Sequence, residues 1–206
     1  MPLTLIDYLR HGLPEGGSRY RGHRVDDPLS EQGWQQMRQS VAGLGGWDRI
    51  VTSPLQRCAA FANWLGEQRA LPVEIEPDLR EVGFGNWEGK TRNELLSERP
   101  AEYHDFYRDP VHNRPEGAEP LEDFGTRVAR VFDRLAGTHP GQHLLIVAHA
   151  GVIRATLGHV MQAPAANWYR AAVDNAGVSR FSHDGNSARL VYHNWLPATE
   201  PARAGV

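Results

Sequence analysis

The chain has 206 residues, enough for one substantial domain with a sizeable core, and its 40% hydrophobic and 23% charged content is ordinary for a globular protein. A formal net charge of -3 excludes a nucleic-acid binder that works by bulk electrostatics, so any anion site must be local and built from a few placed arginines. No apolar run approaches the roughly 20 residues that span a bilayer, no secretory leader is visible, and Cys58 is the sole cysteine, which excludes intramolecular disulfides; the expectation is a cytoplasmic protein without membrane association.

The first apolar run, Leu3-Thr4-Leu5-Ile6-Asp7-Tyr8-Leu9, alternates as a buried strand does and stops on Arg10-His11-Gly12, a turn signal. A glycine- and arginine-rich loop over residues 13–27 follows. Ser30 is the natural N-cap of the next helix, whose buried face is Trp34, Met37, Val41 and Leu44. Residues 48–52 read as a strand. Ser53-Pro54 reads as the start of a helix with Leu55, Cys58, Ala59, Ala62 and Leu65 on its apolar stripe. A short strand over 73–75 precedes an irregular middle, with helices expected over Arg92–Glu98 and 101–107. A strongly amphipathic helix then carries Leu121, Phe124, Val128, Phe132 and Leu135. The clearest buried strand, residues 143–148, ends on His149-Ala150-Gly151 and leads into an apolar helix over 152–161. Strand-like segments near Ala171, over 178–182 and over 189–193 close the chain. Residues 1–196 read as one domain and 197–206 as a flexible C-terminal tail. Strands alternating with helices predict an α/β fold, a three-layer α/β/α sandwich with a mostly parallel central sheet.

Two strands end alike, on Arg10-His11-Gly12 and on His149-Ala150-Gly151. Parallel strands present their carboxyl ends at one sheet edge, where ligands bind, so the two histidines can meet in one crevice. Thr52-Ser53-Pro54-Leu55-Gln56-Arg57 also follows a strand and opens a helix. Helical side chains lean toward the N-terminus, so Arg57 can reach back over that crevice and, with Arg10, grip phosphate oxygens. Taken singly, each has a plainer reading: a turn for His11-Gly12, a solvated surface residue for Arg57. A fourth element, Glu81-Val82-Gly83-Phe84-Gly85-Asn86-Trp87-Glu88-Gly89, reads as a loop folded over a site. A carboxyl held among Phe84 and Trp87 would lose solvation and suit a proton donor; chemistry alone leaves Glu81 and Glu88 both open as that acid.

In this order, Leu9-Arg10-His11-Gly12, Asp27-Pro28-Leu29-Ser30-Glu31-Gln32-Gly33, Thr52-Ser53-Pro54-Leu55-Gln56-Arg57, the Glu81–Gly89 segment and His149 resemble the histidine phosphatase superfamily, also called phosphoglycerate mutase-like. The resemblance implies that His11 is the nucleophile, that Arg10, Arg57 and His149 bind the phosphate, and that Glu81 is the general acid and then base. It implies a small-molecule phosphomonoester as substrate and neither metal nor cofactor. Departures lie at Leu13 and Gly17, where members commonly carry polar residues, and in the basic loop Gly16-Gly17-Ser18-Arg19-Tyr20-Arg21-Gly22-His23. Hydrolysis is therefore favoured over mutase activity. Within the superfamily, Tyr20-Arg21-Gly22-His23, Gly83-Phe84-Gly85-Asn86-Trp87-Glu88 and Asp174-Asn175-Ala176-Gly177-Val178 look like those of the alpha-ribazole phosphatases of the cobalamin pathway. Arg19, Arg21, Gly22 and Trp87 are the candidates for contact with the organic part of a substrate, or else loop-surface residues. The other readings are a phosphatase of broad or sugar-phosphate specificity, a phosphoglycerate mutase, and a phosphate-binding regulator without turnover.

Other phosphate chemistries lack their motifs. No arginine stands six residues after Cys58, no Walker-type loop is present, and the remaining eight histidines show no metal-ligand spacing. Cys58 and most tryptophans read as core, with Trp87 the exception.

Overall fold

The computed structural model describes residues 2–197, so all of the expected tail but Pro197 lies outside the described residues. Six strands form one sheet in the order β3-β2-β4-β1-β5-β6. They are β1 (Thr4–Arg10), β2 (Arg49–Thr52), β3 (Val73–Ile75), β4 (His143–Ala148), β5 (Val178–His183) and β6 (Ala188–Trp195). β1, β2, β3 and β4 run parallel, β5 pairs antiparallel with β1, and β6 antiparallel with β5.

Period-two alternation divides the core into two layers. Ile6 and Tyr8 of β1 and Leu144, Ile146 and Ala148 of β4 face one side. There they meet α5 (Leu121–Thr138) and α6 (Ala150–Met161), with α3 (Arg92–Glu98) and α4 (Pro100–Arg108) extending the same core. Leu9, Leu145 and Val147 face the other side, against α1 (Glu31–Ala42) and α2 (Gln56–Arg69) through Met37, Val41, Cys58, Phe61 and Leu65. This is the three-layer α/β/α arrangement that the strand-helix alternation implies.

α1 leaves β1 for one face and α6 leaves β4 for the other. The adjacent carboxyl ends of β1 and β4 therefore open into a crevice between diverging connections. Arg10 pairs with Ala148 across that edge, and the His11 amide donates to the Ala148 carbonyl at 3.0 Å.

Three local readings are corrected. α2 begins at Gln56 rather than at Ser53-Pro54, because the Ser53 hydroxyl is spent on His149 and on the Leu55 amide; the Gln56 amide is capped instead by the Asp26 carboxylate, at 2.9 Å. α6 begins two residues earlier than its apolar stripe, with His149 at its N-cap. The segment near Ala171 is no strand: a 3-10 helix, Ala165–Arg170, precedes it, and the Ala171 carbonyl accepts from Arg154 Nε.

Candidate active site

His11 stands one residue past the end of β1, on a cavity of about 200 Å³. Its Nδ1 lies 2.8 Å from the Gly12 carbonyl. A carbonyl only accepts, so Nδ1 carries the proton and Nε2 keeps its lone pair. Burial, then the charges of Arg10 and Arg57, hold the imidazole pKa well below its ordinary 6.5. The ring is held neutral, with a free nitrogen lone pair that is chemically able to act as a nucleophile.

Arg10 and Arg57 border the same cavity. Arg10 donates from Nη1 to the Val173 carbonyl at 2.6 Å, and burial lowers its pKa to about 10, so it stays charged at neutral pH. Arg57, on the first turn of α2, is 1% exposed; it donates to the carbonyls of Val25 and Gly22 at 3.0 and 2.9 Å. The Nε of each arginine is buried without a partner, leaving a charged donor unspent on both.

His149, fully buried, packs edge to face on His11 and borders the site from behind rather than lining the cavity. Its Nε2 is 2.7 Å from Ser53 Oγ, and Cys58 Sγ lies 3.6 Å from the same nitrogen. Burial pushes the Cys58 thiol far up, which makes it an inert neighbour.

Glu81 and Glu88 have different surroundings. Glu81 lines the cavity, and its carboxylate accepts from the amides of Val82 (2.9 Å) and Gly151 (3.2 Å), the latter at the N-terminus of α6. Gly151 permits this approach, since a Cβ there would fall 2.2 Å from Glu81 Oε1. Glu88 turns away from the cavity and accepts from the amides of Arg24 and Phe84, at 3.0 and 2.9 Å. It ties the two loops together.

Of the four residues with an expected organic contact, Arg19, Arg21 and Gly22 line the cavity and Trp87 does not. Arg21 donates to Asp27 and to the carbonyls of Glu15 and Gly17, so it acts as the internal brace of its own loop. Trp87 is fully buried, stacked near Tyr103 and Phe106, with its Nε1 donating to Glu102. It belongs to the core, and the carboxyl at Glu81 is held by backbone amides rather than between Phe84 and Trp87.

Sequence reasoning missed Arg154, Asn175, Tyr107 and Tyr169 on the cavity wall. Arg154 sits on the first turns of α6, the same placement that singles out Arg57 on α2, so the signal was present. Asn175 belongs to the turn that receives β1: the Ala176 amide donates to the His11 carbonyl and the Arg10 amide to the Gly177 carbonyl. Among the described residues no cluster of three or more His, Cys, Asp or Glu could hold a metal ion, and no helix is long and apolar enough to cross a membrane.

The bifunctional protein Rv2228c of Mycobacterium tuberculosis is 36% identical over 196 residues, covering 91% of this chain and 53% of that protein. The chain thus spans about half the length of the first curated relatives it matches. The adenosylcobalamin/alpha-ribazole phosphatase of Escherichia coli strain K12 is 31% identical over 170 residues, covering 81% of this chain and 83% of the relative. Among solved structures, the mycobacterial glucosyl-3-phosphoglycerate phosphatase Rv2419c in complex with VO3 superposes with a TM-score of 0.83 at 30% identity, over 92% of this chain and 98% of that one. The family model of the histidine phosphatase superfamily (branch 1) matches residues 6–196, and the chain belongs to that superfamily.

Proposed function

We propose that the chain is a phosphomonoester hydrolase that works through a phosphohistidine on His11. The observation that carries this reading is the free Nε2 of a neutral, buried His11, fixed through Nδ1 and facing a cavity bordered by Arg10 and Arg57. The Nε2 lone pair attacks phosphorus in line, a P–N bond forms, and the P–O bond to the leaving group breaks. Glu81 gives its proton to the departing oxygen. Its carboxylate then takes a proton from water as that water attacks phosphorus, the P–N bond breaks, and inorganic phosphate leaves with His11 restored. Arg10 and Arg57, which line the cavity, offset charge on the equatorial oxygens, a task that is usually the largest contribution in such sites, while His149 backs the His11 ring from behind.

Incubation with an aryl phosphate in the presence of a chelator tests the reading. Wild-type turnover, with His11→Ala reduced about 10³-fold or more, is the expected result. Saturable phosphate binding without product would establish the regulator reading instead.

At the level of substrate, alpha-ribazole 5'-phosphate is supported by the resemblance of the 20–23, 83–88 and 174–178 segments and by the name of the Escherichia coli relative. The name of the mycobacterial structure supports a sugar-acid phosphate to a similar degree of likeness. A comparison of kcat/KM on alpha-ribazole 5'-phosphate, 3-phosphoglycerate and sugar bisphosphates ranks these; absence of any preference for the ribazole ester removes that assignment.

A further inference from the structure

The cavity at His11 opens into a wider cleft of about 660 Å³. Six residues line both: Arg10, Ser18, Arg19, Tyr20, Tyr107 and Arg154. Arg92, Tyr103 and His104 complete the cleft, and no Asp or Glu lines it.

Among the described residues, no carboxylate lines this cleft. The chain as a whole is acidic, with 25 Asp and Glu against 22 Lys and Arg. Several buried or partly buried arginines outside the cleft have carboxylate partners: Arg21 with Asp27, Arg127 with Glu119, Arg180 with Asp7. Among the described residues Arg10, Arg19, Arg92 and Arg154 have no carboxylate at ion-pair distance.

Their donors are also largely unspent. Arg19 places Nε and Nη2 on the Gly16 carbonyl, and Arg154 places only Nε on Ala171. Four cations gathered around one cleft repel each other, and an anion seated among them relieves that repulsion. Arg154 is held in place over the Tyr169 ring, at 5.4 Å from its centroid, so the site does not have to be organised wholly on binding. Tyr20 and Tyr107, joined through their hydroxyls at 2.6 Å, supply an aromatic surface along the passage between cavity and cleft.

We propose that this cleft is a second anion subsite, and that the substrate is a phosphomonoester whose leaving group carries a second negative group, a carboxylate or a phosphate, seated among Arg19, Arg92 and Arg154. The proposal rests on the hydrolase reading for its ligand being a substrate, and on the unpaired arginines alone for the ligand's charge.

Three esters with one carbon skeleton test it. Glycerol 3-phosphate ends in a neutral hydroxymethyl group, 3-phosphoglycerate in a carboxylate, and glycerol 1,3-bisphosphate in a second phosphate. Wild-type kcat/KM should favour at least one of the two acidic members over glycerol 3-phosphate by about tenfold or more, the scale of one charge-assisted hydrogen bond, and the favoured member identifies the anion. Arg92 is exposed, and among the described residues its side chain has no hydrogen-bond or ion-pair partner, so Arg92→Gln tests the cleft without disturbing the core. That variant should reduce the acidic-to-neutral ratio about tenfold.

Calorimetric titration of the same three esters into His11→Ala measures the subsite without turnover. No hydrolysis by wild type, together with tighter binding of an acidic ester that is lost in the His11→Ala/Arg92→Gln double variant, overturns the hydrolase reading and leaves the subsite standing. Hydrolysis with equal kcat/KM and equal affinities across the series, or an Arg92→Gln ratio within twofold of wild type, overturns the subsite and leaves the hydrolase.

Discussion

His11 and His149 meet edge to face, with ring centroids 5.2 Å apart and planes inclined by 65°. Both are buried, and burial first, then the nearby arginines, hold both pKa values well below 6.5. Two neutral imidazoles therefore sit side by side in the folded protein, while in the unfolded chain each titrates near its ordinary value. As pH falls through about 6.5 the unfolded state takes up protons that the native state does not, so stability is fully present above that pH and declines below it. The expected outcome is a melting temperature that drops between pH 7 and pH 5, measured without phosphate. Inorganic phosphate should lessen the drop, because an anion in the cavity favours the imidazolium forms. A melting temperature that is flat across this range counts against the neutral pair.

If His11 is the nucleophile, as proposed, the Gly12 carbonyl decides which of its nitrogens reacts. With Nδ1–H donated at 2.8 Å, only Nε2 has a lone pair to offer. Rapid quenching during turnover of an aryl phosphate should trap phosphate on His11, and phosphorus NMR of the denatured adduct should assign it to Nε2. Attachment at Nδ1 would require the ring to have turned and would contradict the assigned tautomer.

These relationships differ in how far one sequence exposes them. Arg10, His11 and His149 are legible because strand ends and the turns after them are local signals, and register alone then brings β1 and β4 together. Arg57 is legible by the lean of helical side chains toward the N-terminus. Trp87 is misread for the opposite reason. An aromatic among glycines looks like a lid, yet Tyr103 and Phe106, from a helix beginning 13 residues later, close over it. Arg154 obeys the same rule as Arg57 but follows a longer apolar run, which masks it. Tyr107 and Arg92 approach the site only through the packing of α3 and α4, and no periodicity records that.

In the middle of β1, Asp7 is fully buried and holds three partners. Arg180 donates to both its oxygens at 2.7 and 2.9 Å, Trp47 Nε1 at 2.8 Å, and His143 Nε2 lies 2.9 Å away. Burial alone would raise the carboxyl pKa; the hydrogen bonds from Arg180, His143 and Trp47 more than offset it, and the net direction is down. Asp7→Asn leaves Arg180 without its counter-charge and should cost about 3–5 kcal/mol of stability. Chemical denaturation checks this, and activity under native conditions should be retained, because Asp7 lies three residues from the cavity along an extended strand. A change below about 0.5 kcal/mol would place Asp7 among ordinary surface-like substitutions.

The loop that carries Glu81 is held by one buried ion pair. Arg127, on α5, bonds both oxygens of Glu119 at 2.8 and 2.9 Å and donates to the carbonyls of Asp78 and Arg80, while Glu119 accepts from the Gly83 amide at 3.2 Å. Backbone on both sides of Glu81 is thus tied to a single guanidinium-carboxylate pair, which positions the proposed acid from outside the cavity. The contacts of Arg10 and Arg57 do not pass through this pair, so Glu119→Gln should leave KM for phosphate esters nearly unchanged. Proton donation matters most for a poor leaving group. The phosphorylation rate of His11, followed in single turnover, should therefore fall about tenfold for an alkyl phosphate, a displacement of Glu81 equivalent to roughly 1.4 kcal/mol of barrier. For a nitrophenyl phosphate, whose leaving group departs without a proton, the same rate should change little. An equal loss on both esters would show that the pair supports the whole site rather than the placement of the acid.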